Sequence, residues 1–305
     1  MSKSPPGSAY LALAVSCLVW GTAFLAVRFS LESFPPPMFM CVRFLGGGAG
    51  TLVVAWLIGA RLPSRKSFLT TSQNGLLTVG VGVGATVYCL QGLPTGLVAL
   101  FSTTTPFWMI GIEALLPRGE RPTLRTMTGM AIGLVGALVI VAPGAIDQGF
   151  GGKVVISFLV VQLGSASYAW GYIRERHHDC PIHPVVNAAI QQAAAGVLFI
   201  VPALLLSKGP LNLTWRGVGA TIYEILFGGV VAFGCYMYAV KQLPVATLSL
   251  SNYVITPIAL AAGALIHGEK VGWTELVATL LIAAGIVVVD QSNHAKAANT
   301  ETVPA

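Results

Sequence analysis

Long apolar runs alternate with short polar or charged breaks along the whole chain. A hydrocarbon layer about 30 Å thick is crossed by a helix of about 20 apolar residues. By that measure, with Pro, Gly and charge clusters as breaks, ten helical spans are predicted. They lie near 9–29, 38–60, 71–91, 95–116, 124–142, 152–173, 184–206, 217–239, 245–266 and 272–289. Joints such as Gly92-Leu93-Pro94 are so short that the helices they connect must be antiparallel. The spans leave no room for a soluble domain, and the tails, 1–8 and 290–305, are polar. Lys3, the apolar run after it and Ala14-Val15-Ser16-Cys17 look like a signal peptide with a lipoprotein cleavage site. The run continues unbroken through Trp20 to Val27, too long for a signal core, so it reads as a retained first helix.

Composition narrows the class. Of 305 residues 55% are hydrophobic and 9% charged, where a soluble domain carries roughly a quarter charged. This excludes a nucleic-acid binder, a disulfide-stapled secreted module and a disordered chain, and leaves an all-α polytopic membrane protein. The net charge of +6 is distributed by side. With the amino terminus inside, the inner segments hold 11 Lys and Arg and the outer ones 5, with Arg43 inside a span. Both termini are therefore expected in the cytoplasm. The five Cys have no disulfide or zinc spacing and read as small buried hydrophobes.

The chain also repeats itself at an interval of about 150 residues. Trp20-Gly21 recurs as Trp170-Gly171, Leu93-Pro94 as Leu243-Pro244, Thr105-Pro106 as Thr256-Pro257, and Gly119-Glu120 as Gly268-Glu269. This divides the chain into a cytoplasmic tail 1–8, a five-helix repeat 9–142, a periplasmic linker 143–151, a second repeat 152–289 and a tail 290–305. Five is odd, so the second copy must enter the membrane from the opposite side. Two inverted five-helix repeats around a central cavity are the expected fold, an arrangement typical of secondary transporters, with the substrate near the midplane.

Trp20-Gly21-Thr22-x-Phe24, Arg43 after Pro37, Thr105-Pro106 followed by Gly119-Glu120, and the echo of these in the second half resemble the EamA-type drug/metabolite transporters. Within that superfamily the chain is most similar to the YddG-type exporters of aromatic amino acids. The resemblance covers essentially the whole chain. It implies ten helices as paired five-helix bundles around a cavity, both termini cytoplasmic, and export as the usual direction. Location in a bacterial inner membrane follows.

Several residues are candidates for chemistry. Pro106 and Pro257 lie inside predicted spans 4 and 9, where proline removes a backbone hydrogen bond and kinks the helix. Hydroxyls precede both: Ser102, Thr103, Thr104 and Thr105 in one copy, Ser249, Ser251 and Thr256, with Asn252, in the other. They form either a static kink satisfied locally or a hinge whose hydroxyls and carbonyls line the cavity; in the resembling family these helices bend during gating. Trp20 lies near the midplane, too deep for an interfacial anchor, and Trp170 is its counterpart. Each is either a packing residue or, with Tyr88, Tyr168, Tyr236, Tyr238 and Tyr253, an aromatic wall for an amphipathic solute. Arg43, Glu113 and Glu224 are charges inside spans, beside the polar Gln162, Asn187, Gln191 and Gln192; the charges serve as anchors and structural pairs or as contacts for a substrate carboxylate, amine or proton. Gly46-Gly47-Gly48-Ala49-Gly50 and Gly80-Val81-Gly82-Val83-Gly84 permit close helix packing or sliding.

Span 1 carries no carboxylate, whereas small four-helix multidrug members of the superfamily use a glutamate there, so lipophilic-cation efflux by proton exchange is disfavoured. His177-His178-Asp179-Cys180-x-x-His183 matches no standard zinc spacing and reads as a solvated loop. No cofactor, metal or nucleic-acid partner is expected; the expected partners are a small-molecule substrate and the bilayer. The chain is expected to act as a monomer, with a dimer as the alternative. The function expected is export of small amphipathic metabolites, aromatic or neutral amino acids among them, by alternating access. A carrier of another solute (drugs, sugar nucleotides or sugar phosphates) is the alternative. A membrane enzyme is disfavoured because Gly-x-Ser-x-Gly, His-Glu-x-x-His and paired intramembrane Asp are missing, and a channel because filters are usually built by oligomeric symmetry.

Overall fold

A chain with apolar runs about as long as a membrane is thick can satisfy its backbone in lipid only as helices or a closed barrel. The computed structural model describes residues 6–91, 93, 98, 101–117, 119–147, 152–177, 182–207, 211–255, 257–258, 261, 273, 277, 280–285, 287–289 and 291. Among the described residues all regular structure is helical. The elements are α1 (Gly7–Ser30), α2 (Pro36–Leu57), α3 (Arg65–Gly75), a π-helical segment (Leu76–Val83) and α4 (Gly84–Leu90). These are followed by α5 (Thr105–Leu115), α6 (Leu124–Asp147), α7 (Gly152–Arg176), α8 (Pro184–Leu198) and α9 (Ile200–Leu206). Last come α10 (Trp215–Tyr223), a second π segment (Glu224–Ala232), α11 (Phe233–Gln242) and α12 (Val245–Ser249).

Five helical stretches among the described residues are long and apolar enough to cross a bilayer: Gly7–Ser30, Pro36–Leu57, Gly152–Arg176, Pro184–Leu206 and Trp215–Gln242. The remaining predicted spans correspond to the interrupted rod 65–90, to α5, α6 and Val245–Ile255, and to the 280–289 region, which falls partly outside the described residues. Contacts fix how the helices alternate. Ser8 at the start of α1 meets Tyr238 near the end of α11, and Arg176 at the end of α7 donates to the Leu243 carbonyl. At the opposite face Ser33 and Thr214 share a hydrogen bond of 3.1 Å, and Arg216 stacks on Phe29. The face where α1 begins is called the near face below, and the other the far face.

The helices pair reciprocally. α1 packs along the rod 215–242, and α7 packs along the rod 65–90. α2 lies against the second π segment as α8 lies against the first, and α2 crosses α8 at the centre. Glycine sets the closest approaches. A Cβ on Gly48 would sit 2.8 Å from the Ala193 backbone nitrogen in α8, and one on Gly196 would sit 2.7 Å from that of Leu45 in α2. The exterior is apolar, with Leu11, Trp56, Leu115 and Leu204 exposed, while Arg43, Asn74, Glu175, Gln191, Gln192 and Glu224 are buried. This is the inverse of a soluble protein.

The prolines sit differently from expectation. Pro106 is not a mid-helix kink: Thr103 and Thr104 form a turn, α5 starts at Thr105, and Pro106 occupies its first turn, where an N–H has no helical partner in any case. The Thr104 and Thr105 hydroxyls donate to the Phe101 and Ser102 carbonyls at 2.9 and 2.6 Å, satisfying the backbone at the break. In the second copy the break is at Leu250, seven residues before Pro257, again flanked by hydroxyls bonded to local carbonyls, Ser249 to Ala246 and Ser251 to Leu248. Pro257 is helical, and Thr256 before it lies outside the described residues.

A Cβ on Gly75 would stand 2.4 Å from the Gln191 Cα, backbone that cannot step aside, whereas one on Gly111 meets nothing within 4 Å. Gly75→Ala should therefore lower unfolding stability by about 1–3 kcal/mol through overpacking. Gly111→Ala should leave it unchanged or slightly raised; denaturant unfolding of the detergent-purified protein checks both.

Candidate functional site

The two π segments widen rods 65–90 and 215–242 at their middles. A π turn takes backbone carbonyls out of the regular i→i+4 ladder, leaving them to side-chain donors. In the second segment the Gly228 carbonyl accepts from Trp20 Nε1 at 3.4 Å and the Gly229 carbonyl from Gln192 Nε2 at 3.1 Å. In the first, the Leu77 carbonyl accepts from Ser167 Oγ at 2.9 Å. Between the widened rods lies a cavity of about 190 Å³. Trp20, Phe24, Phe44 and Phe233 give it an apolar wall, and Ser102, Thr105, Ser165, Gln192 and Asn252 add neutral polar groups. Arg43 is the cationic side chain on its wall.

The cavity has an aromatic floor. The Trp20 and Tyr236 rings lie 4.9 Å apart, Tyr172 and Tyr236 5.0 Å, and Tyr168 and Tyr172 4.4 Å. One turn beyond Tyr172 toward the near face, α7 delivers Glu175, Arg176 and His177. Glu175 is buried and accepts from Asn74 Nδ2 at 2.8 Å and Asn187 Nδ2 at 2.5 Å. Asn187 in turn accepts from Gln191, which accepts from Thr78 at 3.0 Å. Lys241 stands 3.6 Å from Glu175 Oε1 and also bonds the Glu175 carbonyl. Arg176 pairs with Glu120 at 2.7 Å, and His177 lies 3.0 Å from Glu113. Four helical rods are thereby tied together beneath the floor. Toward the far face the lining continues to Val27 and Val87, and the ties among the described residues there include Ser33 with Thr214 and Arg216 with Phe29.

The ion pair of the cavity is Arg43–Glu224, 2.7 Å between Nη2 and Oε2, with Glu224 fully buried. The guanidinium rests on the rings of Phe44 and Phe39, 5.1 and 5.9 Å from their centroids. Gly228 separates the pair from the cavity space: a Cβ there would lie 3.1 Å from Glu224 Oε2 and 3.6 Å from Arg43 Nη2.

Of the residues expected at a cavity, Trp20, Ser102, Thr105, Tyr168 and Asn252 line it. Tyr88 and Trp170 do not: they are 65% and 41% exposed. Helix phase explains both. The cavity stripe on the rod 65–90 runs through Val79, Val83, Thr86 and Val87, and on α7 through Ser165, Tyr168 and Tyr172; one or two residues round a helix of 3.6 per turn, a side chain points elsewhere. Thr103 is buried in the turn before α5. Tyr253 is a packing residue, buried over Gly133 and donating to the Met130 carbonyl at 3.2 Å. Glu113 belongs to the near-face network rather than the cavity. His183 caps α8 by accepting from the Val185 N–H, while His178, Asp179 and Cys180 lie outside the described residues. The sequence marks Gln162, Asn187, Gln191 and Gln192 as polar within spans, with no role for each, and marks neither Tyr172 nor Glu175. Gln162 accepts from Thr104 and Trp108 and donates to the Phe101 carbonyl, stitching the break before α5 to α7.

A helical bundle with an apolar exterior, buried charges and helices long enough to span a bilayer belongs in a membrane. The EamA-like transporter family model matches residues 7–142 and 156–289, and the chain belongs to that family. It is 29% identical over 274 residues to the uncharacterized inner membrane transporter YedA of Escherichia coli K12, covering 89% of this chain and 87% of that protein. It is 25% identical to a probable terminal-alkyne amino-acid exporter of Streptantibioticus cattleyicolor, over 92% of each. It is 26% identical to a probable amino-acid metabolite efflux pump of Salmonella typhimurium, over 92% of this chain and 93% of that one. A solved crystal structure shares the fold with a TM-score of 0.79 at 21% identity, covering 93% of this chain and 96% of its own.

Glu175→Ala should leave Asn74, Asn187 and Lys241 without their common acceptor. The expected cost is about 3 kcal/mol, reduced if water reaches Lys241, and it reads out as a lower midpoint in denaturant unfolding.

Proposed function

We propose that this protein is a secondary transporter exporting small amphipathic metabolites, aromatic or neutral amino acids among them, across a bacterial inner membrane by alternating access. The observation that carries the reading is the central cavity, with an aromatic floor, neutral polar walls and one buried ion pair, tied shut toward one face. The names of two relatives, an amino-acid exporter and an amino-acid metabolite efflux pump, support the substrate class.

Ten spans in two inverted five-helix repeats are the architecture proposed. Their support is the sequence interval of about 150 residues and the reciprocal pairing of helices: α1 with the rod 215–242, α7 with the rod 65–90. The π segments begin at Leu76 and Glu224, in corresponding places of the two copies. The near face is assigned to the cytoplasm, with both termini there, because its segments gather Arg61, Arg65, Lys66, Arg121 and Arg125. The conformation is then closed inward by the Glu175 and Glu113 networks. The breaks at 103–104 and at Leu250 are the proposed bending points, adjoining Pro106 and preceding Pro257. The protein is proposed to act without a cofactor and as a carrier rather than an enzyme.

Reconstituted protein should catalyse saturable counterflow of L-phenylalanine. Trp20→Ala and Thr105→Val should each lower the rate per folded molecule by about tenfold or more; because each also removes a bond to a backbone carbonyl, the thermal unfolding midpoint should fall by several degrees while the protein still folds. Uptake that rises linearly with concentration, or is unaltered by both substitutions, would contradict the reading.

A further inference from the structure

Buried ion pairs inside membrane bundles usually come with hydrogen bonds to their remaining polar atoms, because an unmet charge in an apolar interior is costly. Arg43–Glu224 is incompletely served. Glu224 Oε1 and Arg43 Nε are buried with no hydrogen-bond partner, and the direct contact between the two side chains is the single 2.7 Å approach. The pair also borders the cavity. Arg43 lies on its wall, and Glu224 is fully buried directly behind Gly228, which places no side chain between them and the cavity.

We infer that Arg43 and Glu224 together form the recognition point for a zwitterion: the pair parts, the guanidinium takes the solute's carboxylate, and Glu224 takes its ammonium. This rests on the transport reading above and names the chemistry its site selects. The reasoning is one of charge balance. A solute with only a carboxylate would release Glu224 as a buried, unpaired anion, and one with only an amine would strand Arg43. A molecule carrying both charges a few bonds apart replaces each partner at once and also supplies acceptors and donors for Arg43 Nε and Glu224 Oε1. The rings of Phe44 and Phe39 hold the guanidinium in place while its partner changes, and Trp20 and Phe233 face the solute's apolar side chain. Selectivity for the doubly charged end thus comes from the pair, and tolerance of different side chains from the aromatic wall.

The test is binding of three probes with one ring and different charges, L-phenylalanine, 3-phenylpropionate and 2-phenylethylamine, titrated calorimetrically into the full-length purified protein. The wild type should bind L-phenylalanine at least about tenfold more tightly than either single-charge analogue. The double variant Arg43→Gln with Glu224→Gln, which leaves no charge orphaned, should bind all three within about threefold of one another, the discrimination having gone with the pair. The wild-type comparison needs no variant to fold. Equal wild-type affinity for L-phenylalanine and one analogue overturns the inference, as does a folded double variant that keeps the preference. Binding of none of the three overturns the amino-acid reading itself, and the inference with it.

Discussion

Polar atoms inside a hydrocarbon layer have no water to bond, so every one of them must find a partner within the protein. That requirement organises this structure. Threonine and serine hydroxyls close the breaks before α5 and at Leu250, Gln162 stitches the first break to α7, and Gln192 and Trp20 serve carbonyls released by the second π segment. Where both oxygens of a buried carboxylate are served, as at Glu175, helices are tied together. Where the requirement is met in part, at Arg43 and Glu224, polar capacity faces a cavity.

The contrast separates two jobs. The near-face network joins α7 to rods 65–90, 184–206 and 215–242 through bonds that a rocking bundle would break together, which suits a gate. Its bonds are numerous and individually modest, so it can open at a cost spread over several contacts. The cavity pair is a single close contact between two buried side chains, which suits selection. The π segments beside both sites are the local irregularity that each requires, and glycine at the α2–α8 crossing keeps the backbone spacing small enough for the side chains to reach one another.

Much of this was legible in the sequence because it follows from run length and periodicity. The apolar runs gave α1, α2, α7 and the two long rods near their predicted bounds, and the hydroxyl-rich stretches marked where helices break. Arg43 and Glu224 were recognisable as charges within spans, but their partnership was not, since it joins residues far apart in the chain. Glu175 was hidden by its neighbours: Arg174-Glu175-Arg176 looks like a solvated charge cluster, and only the end of α7 tucking between other helices buries its middle member. Tyr88 and Trp170 show the limit of matching landmarks between repeats, because equivalence in sequence does not fix helix phase. The π segments carry only a diffuse signal, closely spaced glycines, that packing would explain equally well.

The central claim is that one cavity serves both faces in turn. Its most direct test is a single cysteine at Ser165, on the cavity wall, in a background lacking the native cysteines. The protein would be reconstituted in one orientation and exposed to a membrane-impermeant maleimide from either side. Without solute, labelling should occur from the far face and be blocked from the near face by the Glu175 network; with L-phenylalanine present, near-face labelling should appear. Labelling from both faces at once without solute, or from neither under any condition, would contradict the account.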